Sequence, residues 1–210
     1  MKIKFATEEE RSKFSRRLRL LHDDVCAFSD SMGTFIALGR RAPDSQLVAE
    51  LNRHPRFWNA TLFGLQTAAF LSVGRIHGKA RDSYLKPLLT SLQRSSVAEC
   101  NAAAEEFEAV CRNHKDLIDT VIELRNTVFA HTDHEAPLYI AFKFEGLTHN
   151  MFEAYWDDLS KAVVSIENAV FAGRHSPQLN PRDLQEVIGK VDLFLDDIRA
   201  SSIQKQKSVA

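Results

Sequence analysis

Arg125, Asn126, His131 and Asp133 fall within one short stretch, ELRNTVFAHTD, running from Glu123 to Asp133. A guanidinium stays charged at any working pH and can meet an anionic oxygen through paired hydrogen bonds. An imidazole titrates near neutrality and can accept a proton and return it. The residue types therefore suit anion binding with proton transfer. The spacing is less obliging: six residues on a straight helix rotate a side chain by roughly 240°, so Arg125 and His131 do not share a face. Arg125 would lie with Phe129 and Thr132, while Val121, Leu124 and Val128 would face the core. A working pair needs the helix to end between them, or partners from another subunit. The plainer alternative is a polar helix C-terminus, with His131 interacting favourably with the carbonyl end. His131, Asp133 and His134 could also ligate a metal, but no second ligand cluster accompanies them, and no metal is expected.

The elements that must position this stretch are mostly helical. Thr7 and Glu10 have capping-box spacing, and Phe14, Leu18, Leu21, Val25, Phe28, Met32, Phe35 and Ile36 recur at intervals of three or four. They predict one long helix ending near Gly39. Asp44 or Ser45 opens a short helix to about Arg53, and Pro55 opens another through Trp58, Leu62, Leu65, Ala69 and Val73 to about His77. Gly78 to Asp82 reads as a basic, polar turn. Ser83 to Leu92 is a short helix containing Pro87.

After Ser95–Ser96 an Ala- and Glu-rich helix continues to about His131, with a joint at Asn113–His114. Leu138 to Phe144 alternates weakly and is a candidate extended segment. Thr148 caps a helix closed by Gly173, and Asn180–Pro181 open a last helix through Ile198, followed by a polar tail. The expected fold class is all-α, a single-domain helical bundle with long antiparallel helices. Residues 1–175 form the domain, and 176–210, a helix and tail, pack on it.

Composition narrows the function classes. Among 210 residues, 44% are hydrophobic and 26% charged, as in a folded globular chain. A net charge of −1 argues against a uniformly basic nucleic-acid coat but leaves room for a local basic site. Arg11, Lys13, Arg16, Arg17 and Arg19 make the first helix basic, and Arg75, Lys79 and Arg81 do the same near Gly78. Such runs are solvated faces unless they flank a site, where they could hold phosphates. Cys26, Cys100 and Cys111 form no CxxC pair, and reduced thiols in a cytoplasm are the expectation. The N-terminal MKIKFATEEERSKF turns charged before any apolar run develops, unlike a signal peptide, and no segment approaches the ~18 apolar residues of a membrane span. Phosphate-binding glycine loops, nucleophile elbows and HExxH are missing.

Arg125-Asn126-x-x-x-x-His131 resembles the R-x(4–6)-H motif of the HEPN superfamily, and LRNTVFAHTD looks like the form used by its abortive-infection proteins. A second segment, AAFLSVGRIHGKARDSYLKPLLTSL (residues 68–92), is similar to the family's second-helix pattern, with His77–Gly78 where an aromatic and an acid are expected. The resemblance covers roughly residues 10–172. It implies a helical bundle and a homodimer whose motifs meet at the shared interface, which would complete the site despite the 240° offset on one helix. It further implies a metal-independent endoribonuclease without cofactor, active in phage defence or a toxin–antitoxin system. In such cleavage the 2′-hydroxyl attacks the neighbouring phosphate and leaves 2′,3′-cyclic ends. His131 would move protons, Arg125 would meet the phosphate charge, and Asn126 would bind phosphate or orient the histidine. Arg75, Lys79 and Arg81 are the candidate RNA-binding residues, and a cognate antitoxin is the implied partner. The alternative is a catalytically silent HEPN-like dimer serving as an RNA-binding or regulatory module.

Overall fold

Thr7 opens α1 (Glu8–Arg40), accepting from the backbone N–H of Glu10 at 3.1 Å. The Glu10 carboxylate reaches back to the N–H of Ala6 at 3.0 Å, one residue beyond the usual capping-box donor. Along this helix Phe14, Leu18, Leu21, Val25, Phe28, Met32 and Ile36 are all buried. The computed structural model describes residues 3–78, 84–126, 146–171 and 184–207. Among them are seven further helices: α2 (Ser45–Leu51), α3 (Pro55–His77), α4 (Leu85–Gln93), α5 (Ala98–Asn113), α6 (Lys115–Leu124), α7 (His149–Phe171) and α8 (Leu184–Lys207). No strand occurs among the described residues, and none of their helices is long and apolar enough to cross a membrane. The candidate extended segment 138–144, Gly173 and Asn180–Pro181 lie outside them.

Side-chain pairs set the directions. Asp24 meets Arg75 while Met32 and Phe35 share a cavity with Gln66, so α1 and α3 run antiparallel. Phe28 packs on Trp156 and Phe35 on His149, which makes α7 antiparallel to α1 as well. Cys100 donates to the carbonyl of Ala169 and His114 meets Asp158, giving the same relation between α5 and α7. The last helix departs from this pattern. Val187 touches α1 at Gly33, Asp196 pairs with Arg41, and Arg199 with Asp44, so α8 runs parallel to α1. A Cβ on Gly33 would stand 2.9 Å from Val187 Cγ1, so a glycine is what lets these two helices approach.

The core is densest where α1 and α7 cross. The Phe28 ring stands edge-on to Tyr155 at 5.4 Å and stacks on Trp156 at 6.1 Å, and all three are at most 2% exposed. Truncating such a ring typically costs about 3–5 kcal/mol.

Pro87 sits third in α4, in the first turn, where its missing N–H had no helical partner to lose. The joint expected at Asn113–His114 is present: α5 ends there, and His114 leaves helical geometry at φ −108°, ψ 21°. The polar tail after Ile198 is instead helical to Lys207, because no glycine or proline stops it and Gln and Lys propagate a helix well.

Candidate functional site

α6 delivers Arg125 to the surface of α3. Leu117, Ile118 and Val121 bury one face of α6, and at Arg125–Asn126 the helix opens into a π-type turn. Such turns are frequent at functional positions, and straight-helix arithmetic stops applying there. The Arg125 side chain is half-buried against Gly74, in the interior of α3: a Cβ on Gly74 would stand 2.7 Å from Arg125 Cδ and 3.0 Å from Cζ. From there the guanidinium receives the Asn126 side chain. Nε and Nη2 of Arg125 donate to Asn126 Oδ1 at 3.2 and 2.9 Å. That amide oxygen covers one edge of the fork and leaves Nη1 directed at Gly74 and Gly78.

One residue along, Arg75 leaves α3 toward α1. Its Nε donates to Asp24 Oδ1 at 2.5 Å and its Nη2 to Ser72 Oγ at 3.3 Å. Tyr84 donates to the other Asp24 oxygen at 2.7 Å. Burial and the Asp24 carboxylate push the Tyr84 phenol far above its ordinary range, so it remains a donor. Asp24 is 8% exposed and Arg75 51%, so the carboxylate is fixed inside while half of the arginine side chain faces solvent.

A second polar chain lies beneath the end of α3. His77 Nε2 is 2.7 Å from Tyr155 Oη, and His77 Nδ1 is 3.5 Å from Cys111 Sγ. Desolvation, helped by nearby His114, lowers the His77 pKa to about 4, and burial raises the Cys111 thiol to about 11. Neutral imidazole and protonated thiol are therefore the forms at pH 7. His114 Nε2 is 2.8 Å from Asp158 Oδ2, tying the α5–α6 joint to α7.

Gly78 also borders a groove of about 950 Å³ between α4, α5 and α6. Arg17, Lys86, Arg94 and Lys115 line it together with Glu108 and Asp119. Lys115 is paired with Asp119, whereas Arg17, Lys86 and Arg94 make no ion pair among the described residues.

Thus Arg125, the first residue of RNTVFAH, and Gly74 of the 68–92 segment, distant in sequence, meet. A family model described as AbiU2, of HEPN type, matches residues 11–189. The chain belongs to the HEPN AbiU2 family. No curated protein and no solved structure matches it.

In this HEPN chain the match runs from the first turns of α1 into α8, so the helices that build the Arg125 neighbourhood lie inside it. It is an abortive-infection protein of HEPN type. Of the residues singled out from sequence, Arg125 and Asn126 are brought together and Arg75 lies one residue beyond Gly74, held by Asp24. His131, Lys79 and Arg81 lie outside the described residues, as do Asp133 and His134. Among the described residues, no group of His, Cys, Asp and Glu is placed to hold a metal.

Sequence reasoning missed Gly74, Asp24 and Tyr84. Two carried a signal. A glycine in a helix interior costs about 1 kcal/mol against alanine and so marks a close approach. Asp24 interrupts the apolar stripe of α1 between Leu21 and Val25, where a carboxylate needs a partner.

Proposed function

We propose that this HEPN protein is a metal-independent endoribonuclease acting in phage defence or as a toxin, with Arg125, Asn126 and His131 as its catalytic residues. The observation that supports it best is the seat of Arg125 on Gly74, which holds a guanidinium in a preset orientation with Nη1 unshared by Asn126. A transferring phosphate gathers charge on its non-bridging oxygens, and the seated guanidinium meets that charge once Asn126 yields its edge of the fork. His131 takes the proton from the attacking 2′-hydroxyl and returns one to the leaving 5′-oxygen. The bond formed is 2′-oxygen to phosphorus and the bond broken is phosphorus to 5′-oxygen, so the product ends in a 2′,3′-cyclic phosphate.

A second copy of the chain completes the site in this proposal. It brings its own Arg125 and His131 to the shared interface, so that the motifs of the two chains meet there. The cations of the adjoining groove, with Arg75, Lys79 and Arg81, would follow the RNA backbone. The cell compartment is the cytoplasm, where that RNA is, and a cognate antitoxin would hold the activity in check.

The test is incubation of purified protein with total RNA in the presence of EDTA. Wild type should cut and leave 2′,3′-cyclic ends, while Arg125→Ala and His131→Ala should not. Equal behaviour of all three proteins refutes the enzyme reading. RNA retention without cutting by any of them selects the catalytically silent binding module instead.

A further inference from the structure

Arg17 of α1 and Arg94 at the end of α4 line the large groove on one side and, with Ser91, a second recess of about 290 Å³ on the other. That recess lies between the start of the chain, the first turns of α1 and the end of α4. The groups facing it are open to it: Lys4 and Arg94 are exposed, and Phe5, Arg17, Ser91 and Ser95 are half-buried. Its cations gather without acids to neutralise them. Lys4, Arg17 and Arg94 make no ion pair among the described residues. The nearby carboxylates are already engaged: Glu8 by Arg11, Glu9 by Lys13, and Glu10, which also lines the recess, by the N–H of Ala6. Like charges around one recess repel, and an anion bridging them relieves that repulsion. Ser95 adds a donor, since its Oγ accepts from the N–H of Val97 at 3.1 Å and its hydroxyl hydrogen has no acceptor among the described residues. The remaining wall is apolar: Phe5, held by the ring of Phe14 at 5.2 Å and 47°, stands beside buried Ile3.

We propose that this recess binds one nucleotide, with its phosphate between Arg17 and Arg94 and its base against Phe5. Guanidinium groups suit a phosphate, which each can meet through two parallel hydrogen bonds. An aromatic ring beside the cations does nothing for a bare phosphate, whereas it offers a base a stacking face. The volume is at the lower edge of the ~300–1,000 Å³ of sites that hold drug-sized ligands, room for a single nucleotide unit. Helix α1 sets the position. Asp24 holds Arg75, next to the seat of Arg125, and Arg17 lies seven residues earlier, roughly 10 Å along the helix axis. The recess is therefore separate from that seat and is reached from Gly78 through the groove. A stacked strand advances about 3.4 Å per nucleotide, so RNA with its scissile phosphate at Arg125 would bring a nucleotide about three or more positions away into the recess. A free nucleotide presents the same phosphate and base.

The experiment is calorimetric titration of the full-length protein with AMP, UMP, adenosine and inorganic phosphate. AMP and UMP should both bind, because stacking tolerates any base, and adenosine and phosphate should each bind about tenfold or more weakly by comparison. Arg17→Ala and Arg94→Ala should each lower AMP affinity about tenfold or more, and both should melt as wild type does, since neither arginine is ion-paired among the described residues. Phe5→Leu keeps an apolar side chain beside Phe14 and should weaken AMP about tenfold while binding phosphate as wild type does. Lys86 borders the groove and not the recess, so Lys86→Ala should bind AMP normally. A short 2′-O-methyl RNA, which cannot be cleaved, then separates the two sources. Affinity above that of AMP that falls in Phe5→Leu means that the nucleotide arrives on a strand, and an RNA indifferent to Phe5→Leu means a free nucleotide. Absence of AMP and UMP binding overturns the assignment. So does phosphate alone binding as tightly as AMP, or unchanged AMP affinity in the folded Arg17→Ala and Arg94→Ala proteins. Arg125→Ala should bind AMP as wild type does, which keeps this outcome separate from that of the ribonuclease test.

Discussion

Arg125 lies on Gly74 so closely that a Cβ there would come within 2.7 Å of Arg125 Cδ, and the arginine would have to shift. In Gly74→Ala the arginine must move while the helix gains a better former, worth up to about 1 kcal/mol. RNA cleavage should therefore fall about tenfold or more with no loss of melting temperature. Gly64→Ala is the control, since a Cβ there meets nothing within 4 Å. It should stabilise by about 0.5–1 kcal/mol and leave activity alone. Both are read by thermal melts beside a cleavage assay, and a Gly74→Ala enzyme of full activity would contradict the proposed role of the seat.

Asp24 anchors Arg75 and Tyr84 from inside the bundle. Asp24→Ala removes a buried acceptor of two donors and should cost about 2–4 kcal/mol in denaturant unfolding. Arg75→Ala leaves the carboxylate with Tyr84 and should cost less, because half of that side chain is already in water and its attraction is screened.

Two buried groups should give opposite pH dependences. His77 is held near 4, below its ordinary 6.5, so its contribution is present above 6.5 and is lost as pH falls toward 4, when only the unfolded chain gains the proton. Glu167 is raised by burial to about 7 from 4.5, and its Oε1 has no hydrogen-bond partner among the described residues. Its contribution is present below 4.5 and is lost as pH rises toward 7. In wild type the two slopes oppose each other between 4.5 and 6.5. His77→Gln should leave stability falling with pH there, and Glu167→Gln should leave it rising. Unfolding free energies measured across that window decide; parallel curves for both variants would show that neither group titrates as described.

The groove cations give a prediction about salt. Arg17, Lys86 and Arg94 make no ion pair among the described residues, so Arg17→Ala, Lys86→Ala and Arg94→Ala together should change stability little. RNA affinity should drop, and the slope of log affinity against log salt should lessen by about one for each phosphate no longer neutralised. Filter binding at several salt concentrations measures it. An unchanged slope would place the RNA elsewhere.

The residues differ in how legible they were. The stripe from Phe14 to Ile36 announces α1 because burial of one helix face is a local, periodic property. The α5–α6 joint could likewise be read from Asn113–His114. Asp24 and Gly74 each signal an unmet need, for a partner and for space, yet their sequence context does not say that Arg75 and Arg125 meet it. Arg125 shows the limit most clearly. Periodicity placed it away from the core, but α6 is covered by α3 as well as α5, and a second neighbour claims a face that one apolar stripe leaves to solvent. Parallel packing of α8 on α1 was likewise invisible, since it depends on the path of the chain between helices.

That packing has a consequence for synthesis. The face of α1 around Gly33 is closed by Leu184 and Val187, which leave the ribosome long after α1 does. Until then this strip stays open, and the bundle cannot close over it before α8 emerges. Folding during synthesis is thus tied to the arrival of α8, and a product interrupted before residue 184 would carry an exposed apolar seam for chaperones and proteases to find.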